Sequence, residues 1–257
     1  MSKKYDLTAL EVLEYLHQVE DSEFSEPFSG YSEEEIQEAE QRLGVSFPNS
    51  YREYMMKYGR HPANNAQDRM VEPSEIGSTY EYLSEYLDCY EEDLEGLTEE
   101  EKEKKALENV NYRLCMLPKE EWYKITEDYI LIAFENQGCW SAGYLRKDLD
   151  NGVENPPIYI STEDDFITYK KVADNIQEFL KVIFFMSMWC LDIAYEEEEN
   201  AWATLKEKGI DTSKMVVEGV HFCLDTENNI LYGCDVAKGQ LITLLIADPT
   251  WNDEEDE

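Results

Sequence analysis

Carboxylates are the most abundant chemically active groups in this chain, since Asp and Glu make up 58 of its 257 residues. Residues 148–152 begin like a calcium-binding loop, but Gly152 comes one position early and no glutamate closes the loop. In residues 225–230, acidic and amide side chains also stand at every second position, but Ile230 occupies the place where the loop requires glycine. A glycosidase needs two carboxylates at a defined separation. Among so many acids, some pair will have that separation by chance, so such a pair does not indicate a glycosidase. The sequence predicts neither a metal site nor a pair of catalytic carboxylates.

Histidines and known catalytic motifs do not indicate an enzyme either. The three histidines, His17, His61 and His221, never occur at metal-ligand spacing. The nucleophile elbow GxSxG, the dinucleotide motif GxGxxG and the P-loop are all absent from the sequence. None of the six cysteines forms a CxxC motif, and several lie in apolar runs, which favours reduced thiols in a cytoplasmic protein. We therefore expect no enzymatic activity and no cofactor.

Net charge is the property that points to a partner. Only 22 Lys and Arg oppose the acids, and the formal net charge is −36. Such a surface repels phosphates, so nucleic acids and anionic membranes are disfavoured as partners. It accelerates association with positively charged proteins. The sequence thus predicts a basic protein partner, and the alternative explanation is that the acidity serves solubility or a salt-rich cytoplasm.

The densest acidic segment is residues 81–103, which hold eleven acids and one lysine. Tyrosines and leucines recur within it at steps of three and four, which predicts an amphipathic helix with a charged outer face that ends at Gly96. Thr98 and Glu101 match a capping box, so a second helix is expected to follow. The acids predicted to contact the partner are Glu85, Asp88, Glu91, Glu92, Asp93 and Glu95.

Three further helices are predicted before this segment in the chain. Leucines at helical spacing predict a helix over residues 7–19. The next helix is predicted over 32–44, because Ser32 and Glu35 match a capping box and a glycine follows the last apolar residue. Another is expected over 48–59, where tyrosines repeat at helical spacing between a proline and a glycine.

The remainder of the chain alternates strands, turns and one apolar helix. A helix is predicted from Asp174, and its apolar run over 182–191 is too short to cross a bilayer and is expected to lie under the sheet. The first twenty residues are amphipathic and acidic, so no signal peptide is expected. An antiparallel meander is predicted from strands at 129–134, 139–145, 158–160 and 166–171. A short helix at 201–208 and strands at 216–224, 230–233 and 241–247 are expected to follow.

Several motifs, in order, resemble the SUKH superfamily (Smi/Knr-type). The acid-rich helix EEEIQEAEQRLG is followed by FPNSYREYM, in which Phe47 stands where the family usually has leucine. Later, IAFENQGCWSAGYL resembles the family's strand–turn–strand with a turn glycine and a tryptophan. IYIS and DNIQEFL resemble its closing strand and the helix behind it. The resemblance covers about residues 25–195, apart from residues 60–126.

The resemblance implies an α+β fold with a central antiparallel sheet surrounded by helices. The expected organisation is a single SUKH-like domain over 1–257, with a core at about 25–195. An acidic helical insertion at about 60–126 and a C-terminal α/β extension at 196–257 complete it. Family members typically are immunity proteins that bind a toxin, often a nuclease. A strongly acidic partner suits the basic cleft of a nuclease.

The chain is accordingly expected to be a cytoplasmic immunity protein that occludes such a cleft, and the alternative is a non-enzymatic scaffold or regulatory module of the same fold. The turn of the predicted sheet is a second candidate surface, and its alternative interpretation is that Trp140 is a core residue. The predicted contact residues there are Glu135, Asn136, Gln137 and Trp140.

Overall fold

The fold is given by a computed structural model, which describes residues 3–4, 7–18, 25–64, 69–135, 137–161, 166–190, 206, 220–225, 230–235 and 240–245. The chain divides into two compact units, each built from separate segments. The first unit comprises Met1–Tyr31, Ser50–Arg69 and Ala173–Glu257. The second unit comprises Ser32–Asn49 and Met70–Val172.

The described chain combines helices with antiparallel strands, as an α+β fold does. The helices are α1 Ala9–Leu16, α2 Glu33–Leu43, α3 Asn49–Tyr58, α4 Thr79–Tyr86, α5 Asp88–Glu92, α6 Glu99–Glu108, α7 Val110–Cys115, α8 Arg146–Asp150 and α9 Ile176–Cys190. The strands are β1 Lys3–Lys4, β2 Arg69–Met70, β3 Gly77–Ser78, β4 Tyr129–Phe134, β5 Ser141–Leu145, β6 Ile158–Ser161, β7 Tyr169–Ala173, β8 Val220–Asp225, β9 Ile230–Asp235 and β10 Gln240–Leu245. Short 3-10 turns occupy Pro62–Asn64 and Lys119–Lys124.

The predicted antiparallel meander is present. Its strands, which we call the meander sheet, lie in the order β2-β4-β5-β6-β7, and β3 also pairs with β4. The β4–β5 register pairs Phe134 with Ser141, so the predicted turn joins the two strands. A register shift between Leu131 and Ala133 marks a bulge in β4. Gly143 of β5 is required at this point, because a Cβ there would lie 2.1 Å from the Ile130 carbonyl oxygen.

Local capping signals account for where several helices begin. Thr8 with Glu11, Ser32 with Glu35, Ser78 with Glu81 and Thr98 with Glu101 form capping boxes at the starts of α1, α2, α4 and α6. The boxes at α2 and α6 confirm the sequence predictions. Gly44 ends α2 with φ of 67°, the left-handed conformation that glycine adopts at no steric cost.

The C-terminal strands form a second sheet in the first unit, with order β1-β8-β9-β10. The predicted β8–β9 hairpin is present, with Asp225 opposite Ile230. Helix α9 packs against α1 and these strands, and its core residues include Phe179, Leu180 and Phe184. The apolar helix was predicted under the meander, but the sheet it packs against is this C-terminal one, and the pairing of β1 with β8 was not predicted.

Three sequence predictions require correction. Asn175, and not Asp174, caps α9, because its Oδ1 accepts the backbone N–H groups of Gln177 and Glu178. The acidic helix is interrupted at Leu87, which separates α4 from α5. Helix α8 was missed, since a turn alone was predicted there. The predicted helix at 201–208, except Lys206, and the strand residues 216–219 and 246–247 lie outside the described residues.

Within the part of the chain that the structure describes, no helix combines the length and the apolar character needed to cross a bilayer.

Candidate functional site

The acidic residues predicted from the sequence lie on α4, on α5 and in the turn after α5, all in the second unit. Each of their side chains is exposed, as a partner-binding surface requires. No Lys or Arg occurs in residues 79–96, although Lys105 and Lys119 reach this segment from elsewhere in the unit. We call this surface the acidic face; its residues are Glu85, Asp88, Glu91, Glu92, Asp93 and Glu95.

Asp93 differs from the other acids of this face because it already has intramolecular partners. The Tyr112 hydroxyl donates to its Oδ2 at 2.7 Å, and Lys105 Nζ lies 3.6 Å from the same oxygen. The hydrogen bond from Tyr112 and the charge of Lys105 lower the pKa of Asp93 below its ordinary value. Asp93 therefore joins the turn after α5 to α6 and α7, and its contribution to a partner interface is reduced.

Glu135, in the β4–β5 turn, is also engaged within the chain. Its Oε2 accepts the backbone N–H groups of Gln137 at 2.7 Å and Cys139 at 3.0 Å. Gly138 has φ of 79°, so a left-handed residue completes the turn. Gln137 is exposed and Trp140 is partly buried, whereas Asn136 lies outside the described residues. The carboxylate of Glu135 thus shapes the turn that presents its neighbours.

Six partly buried aromatic side chains run from this turn to the acidic face. Ring centroids of successive members lie 5.2 to 6.0 Å apart, within the range of favourable aromatic pairs. We call them the aromatic row; in spatial order they are Phe134, Tyr82, Phe166, Tyr86, Tyr90 and Tyr112. The two surfaces predicted separately from the sequence are therefore connected by one continuous line of rings.

A small hydrophobic core supports the aromatic row from beneath. Leu83, Leu87, Leu114 and Trp122 form this core, and Tyr86, Tyr90 and Phe166 pack against it. The Trp122 indole N–H donates to the Leu114 carbonyl oxygen at 3.2 Å, so the buried polar atom of this core is satisfied. The rings of the row are consequently held in place by packing.

The start of α4 is fixed by a polar network around Asp128. Its Oδ1 accepts the Tyr80 backbone N–H at 3.2 Å, and its Oδ2 accepts from Arg146 Nε. Arg146 also donates to the Leu43 carbonyl oxygen at the end of α2. Burial raises the pKa of Asp128, although Arg146 opposes the shift. These contacts connect α4 to the meander sheet and thereby determine where the acidic face lies.

The sequence indicated part of the aromatic row. Tyr82, Tyr86 and Tyr90 were recognised by their helical spacing, but they were interpreted only as the apolar face of a helix. Phe134, Phe166 and Tyr112 come from a strand, a loop and another helix, so no local spacing relates them to α4. Their order is a property of the tertiary structure.

The surface has the composition of a binding site. Among the residues that the structure describes, no group of three or more His, Cys, Asp and Glu is placed to hold a metal ion. Aromatic rings bordered by exposed acids are suited to contact a protein partner, because aromatic residues are enriched in the cores of interfaces. The arrangement therefore favours protein binding.

A comparison with known protein families tests the family resemblance that the motifs indicated. The sequence model of the SMI1 / KNR4 family (SUKH-1) matches residues 30–182, more than half of the chain. The chain belongs to this family. For this SUKH-1 protein, the matched range includes α2, α3, the acidic face and the meander sheet. No curated protein and no solved structure matches the chain.

Proposed function

We propose that this SUKH-1 protein is a cytoplasmic immunity protein, which binds a cognate bacterial toxin and neutralises it by covering a basic active-site cleft. Membership of the family is consistent with this role. The proposed toxin is a nuclease, because a nuclease requires a basic cleft for phosphate groups and such a cleft attracts an acidic protein. The protein acts by binding and catalyses no reaction.

The acidic face is the observation that carries the proposal. It is exposed, and the α4–α5 segment that bears it contains no basic residue. At a net charge of −36, long-range attraction accelerates the encounter with a basic toxin, and the local acids orient it. Binding by this surface should therefore be fast and sensitive to salt.

The proposal is tested with the product of the gene that neighbours this one, expressed as the candidate toxin. We expect the purified proteins to form a stoichiometric complex that weakens as salt is raised, and we expect nuclease activity to fall in proportion to complex formation. Complex formation is measured by isothermal titration calorimetry, and activity by cleavage of a fluorescent oligonucleotide. A basic partner that binds here but lacks toxin activity would favour the alternative of a scaffold or regulatory module.

Two charge-reversal variants locate the interface. Glu85→Lys with Asp88→Lys should weaken the complex by about tenfold or more, because the reversed charges face a basic partner. Glu34→Lys with Glu38→Lys changes the net charge equally on the exposed side of α2 and should have a much smaller effect. Equal effects of the two variants would show that net charge alone, without the acidic face, drives the association.

A further inference from the structure

The aromatic row and the acidic face alternate along α4 and α5. Tyr82 and Tyr86 lie four residues apart on α4, and Tyr90 continues the line from α5, with its ring centroid 5.7 Å from that of Tyr86. Glu85 lies three residues after Tyr82 and Asp93 three residues after Tyr90, the spacing at which helical side chains are neighbours. Carboxylates therefore run beside partly buried tyrosine rings along the segment.

This combination of groups matches one side chain better than any other. The guanidinium group of arginine is planar, stacks on aromatic rings and pairs with a carboxylate through two parallel hydrogen bonds. The ammonium group of lysine is compact and more strongly hydrated, so it gains less from a ring face. A row of rings bordered by acids should consequently distinguish arginine from lysine at equal charge.

The far end of the aromatic row already holds a cation from the chain itself. Lys105 Nζ lies 4.5 Å from the centre of the Tyr112 ring and 3.6 Å from Asp93 Oδ2. One positive group is thus bound between a ring of the row and an acid of the acidic face. Nearer the middle of the row, Glu85 lies three residues after Tyr82, the spacing at which helical side chains are neighbours, so a partner's cation meets a ring and an acid there as well.

The row is also rigid enough to discriminate. Phe166 holds φ of 53°, a conformation that is rare for a large side chain, while its ring stacks on Tyr82 at an interplanar angle of 10°. Tyr86 and Tyr90 pack against the buried core formed by Leu83, Leu87, Leu114 and Trp122. Rings fixed in this way lose little side-chain entropy when a partner binds.

We propose that the aromatic row is an arginine-binding surface, on which arginine side chains of a basic protein partner stack against Tyr86 and Tyr90 and pair with the adjacent carboxylates. The inference rests on the proposed function, because it takes the acidic face as the binding surface. It adds the chemistry of the partner: the contacting positive residues are arginines. Lysine-rich partners of equal charge bind more weakly.

Two peptides test this without the toxin. An oligo-arginine and an oligo-lysine of equal length, each with a fluorescent label, are titrated with the full chain at physiological salt, and binding is measured by fluorescence anisotropy. We expect the arginine peptide to bind at least about fivefold more tightly, since each exposed cation–π contact contributes about two- to fivefold. Equal affinities for the two peptides would overturn the proposal.

Matched variants assign the preference to the aromatic row. Tyr86→Leu with Tyr90→Leu should abolish the preference while the salt-dependent binding of oligo-lysine persists, and Tyr86→Phe with Tyr90→Phe should retain the preference. Tyr123→Leu, at a tyrosine that is 67% exposed and outside the row, should also retain it. A preference that survives Tyr86→Leu with Tyr90→Leu contradicts the assignment, and a cooperative thermal transition verifies that each variant is folded.

The two proposals can fail independently. A preference for oligo-arginine that depends on the aromatic row, combined with no binding of the neighbouring toxin, would retain the arginine-binding surface and reject the immunity function. Tight binding of the toxin without any preference for arginine would retain the immunity function and reject the arginine-binding surface.

Discussion

The Phe166 ring stacks on the Tyr82 ring with a centroid separation of 5.8 Å, and it does so from a left-handed backbone conformation with φ of 53°. Such a conformation costs about 1–2 kcal/mol for a residue other than glycine. The stacking on Tyr82 and the edge contact with Tyr86 at 6.0 Å offset this cost. The middle of the aromatic row is therefore a position where packing overrides local backbone preference.

Replacement of Phe166 should reveal this strain. Both Phe166→Ala and Phe166→Gly lose the ring contacts, but only glycine relieves the backbone, so Phe166→Gly should be the more stable variant by about 1 kcal/mol. At Phe134, in extended β4, Phe134→Ala should be more stable than Phe134→Gly, as is usual in a strand. Urea unfolding monitored by circular dichroism measures both pairs. The same order at the two positions would contradict the strained conformation of Phe166.

The sequence predicted those features that depend on neighbouring residues. The capping boxes at Ser32 and Thr98 and the strand at 129–134 follow from local patterns and are confirmed. The aromatic row could not be predicted, because Phe134 and Phe166 reach α4 only through the tertiary fold. The partners of Asp93 were missed for the same reason, since Tyr112 lies 19 residues further along the chain.

The close approach of β4 and β5 predicts a large effect at Gly143. Gly143→Ala places a Cβ 2.1 Å from the Ile130 carbonyl oxygen, so the paired strands must separate, and we expect a loss of about 3 kcal/mol in the free energy of unfolding. Gly138→Ala is the matched control, because φ there is 79° and no atom lies within 4 Å of the new Cβ. It should cost about 1 kcal/mol, from backbone conformation alone. Comparable losses in chemical denaturation would argue against the tight packing at Gly143.

The contact between Asp93 and Tyr112 should be visible in a titration. The pKa of Asp93 is lowered chiefly by the hydrogen bond from Tyr112 and then by Lys105, so Tyr112→Phe should raise it toward its ordinary value. Lys105→Met should raise it by a smaller amount. Because a lowered native pKa stabilises the fold above the pKa of the unfolded chain, the contribution of Asp93 is lost as pH falls through its native pKa. NMR detection of the Asp93 side-chain carbon follows the titration, and an unchanged pKa in Tyr112→Phe would exclude the assigned cause.

The ion pair between Asp128 and Arg146 should be asymmetric toward mutation. Arg146→Met leaves the largely buried Asp128 carboxylate without its cation and should cost roughly 2–4 kcal/mol at neutral pH, whereas adding Asp128→Asn to this variant should restore much of the stability. Burial raises the native pKa of Asp128, and removal of Arg146 should raise it further.

The pH dependence of Arg146→Met follows from that shift. A native pKa above the unfolded value means that the folded state binds the proton more tightly, so the contribution of Asp128 to stability increases as pH falls and decreases as pH rises through the native pKa. The destabilisation by Arg146→Met should therefore be smaller near pH 4, which is about the ordinary pKa of an aspartate, than at neutral pH. Urea unfolding at the two pH values measures the difference. A penalty that does not change with pH would mean that Arg146 stabilises the fold through its hydrogen bond to Leu43 at the end of α2, and not by compensating the charge of Asp128.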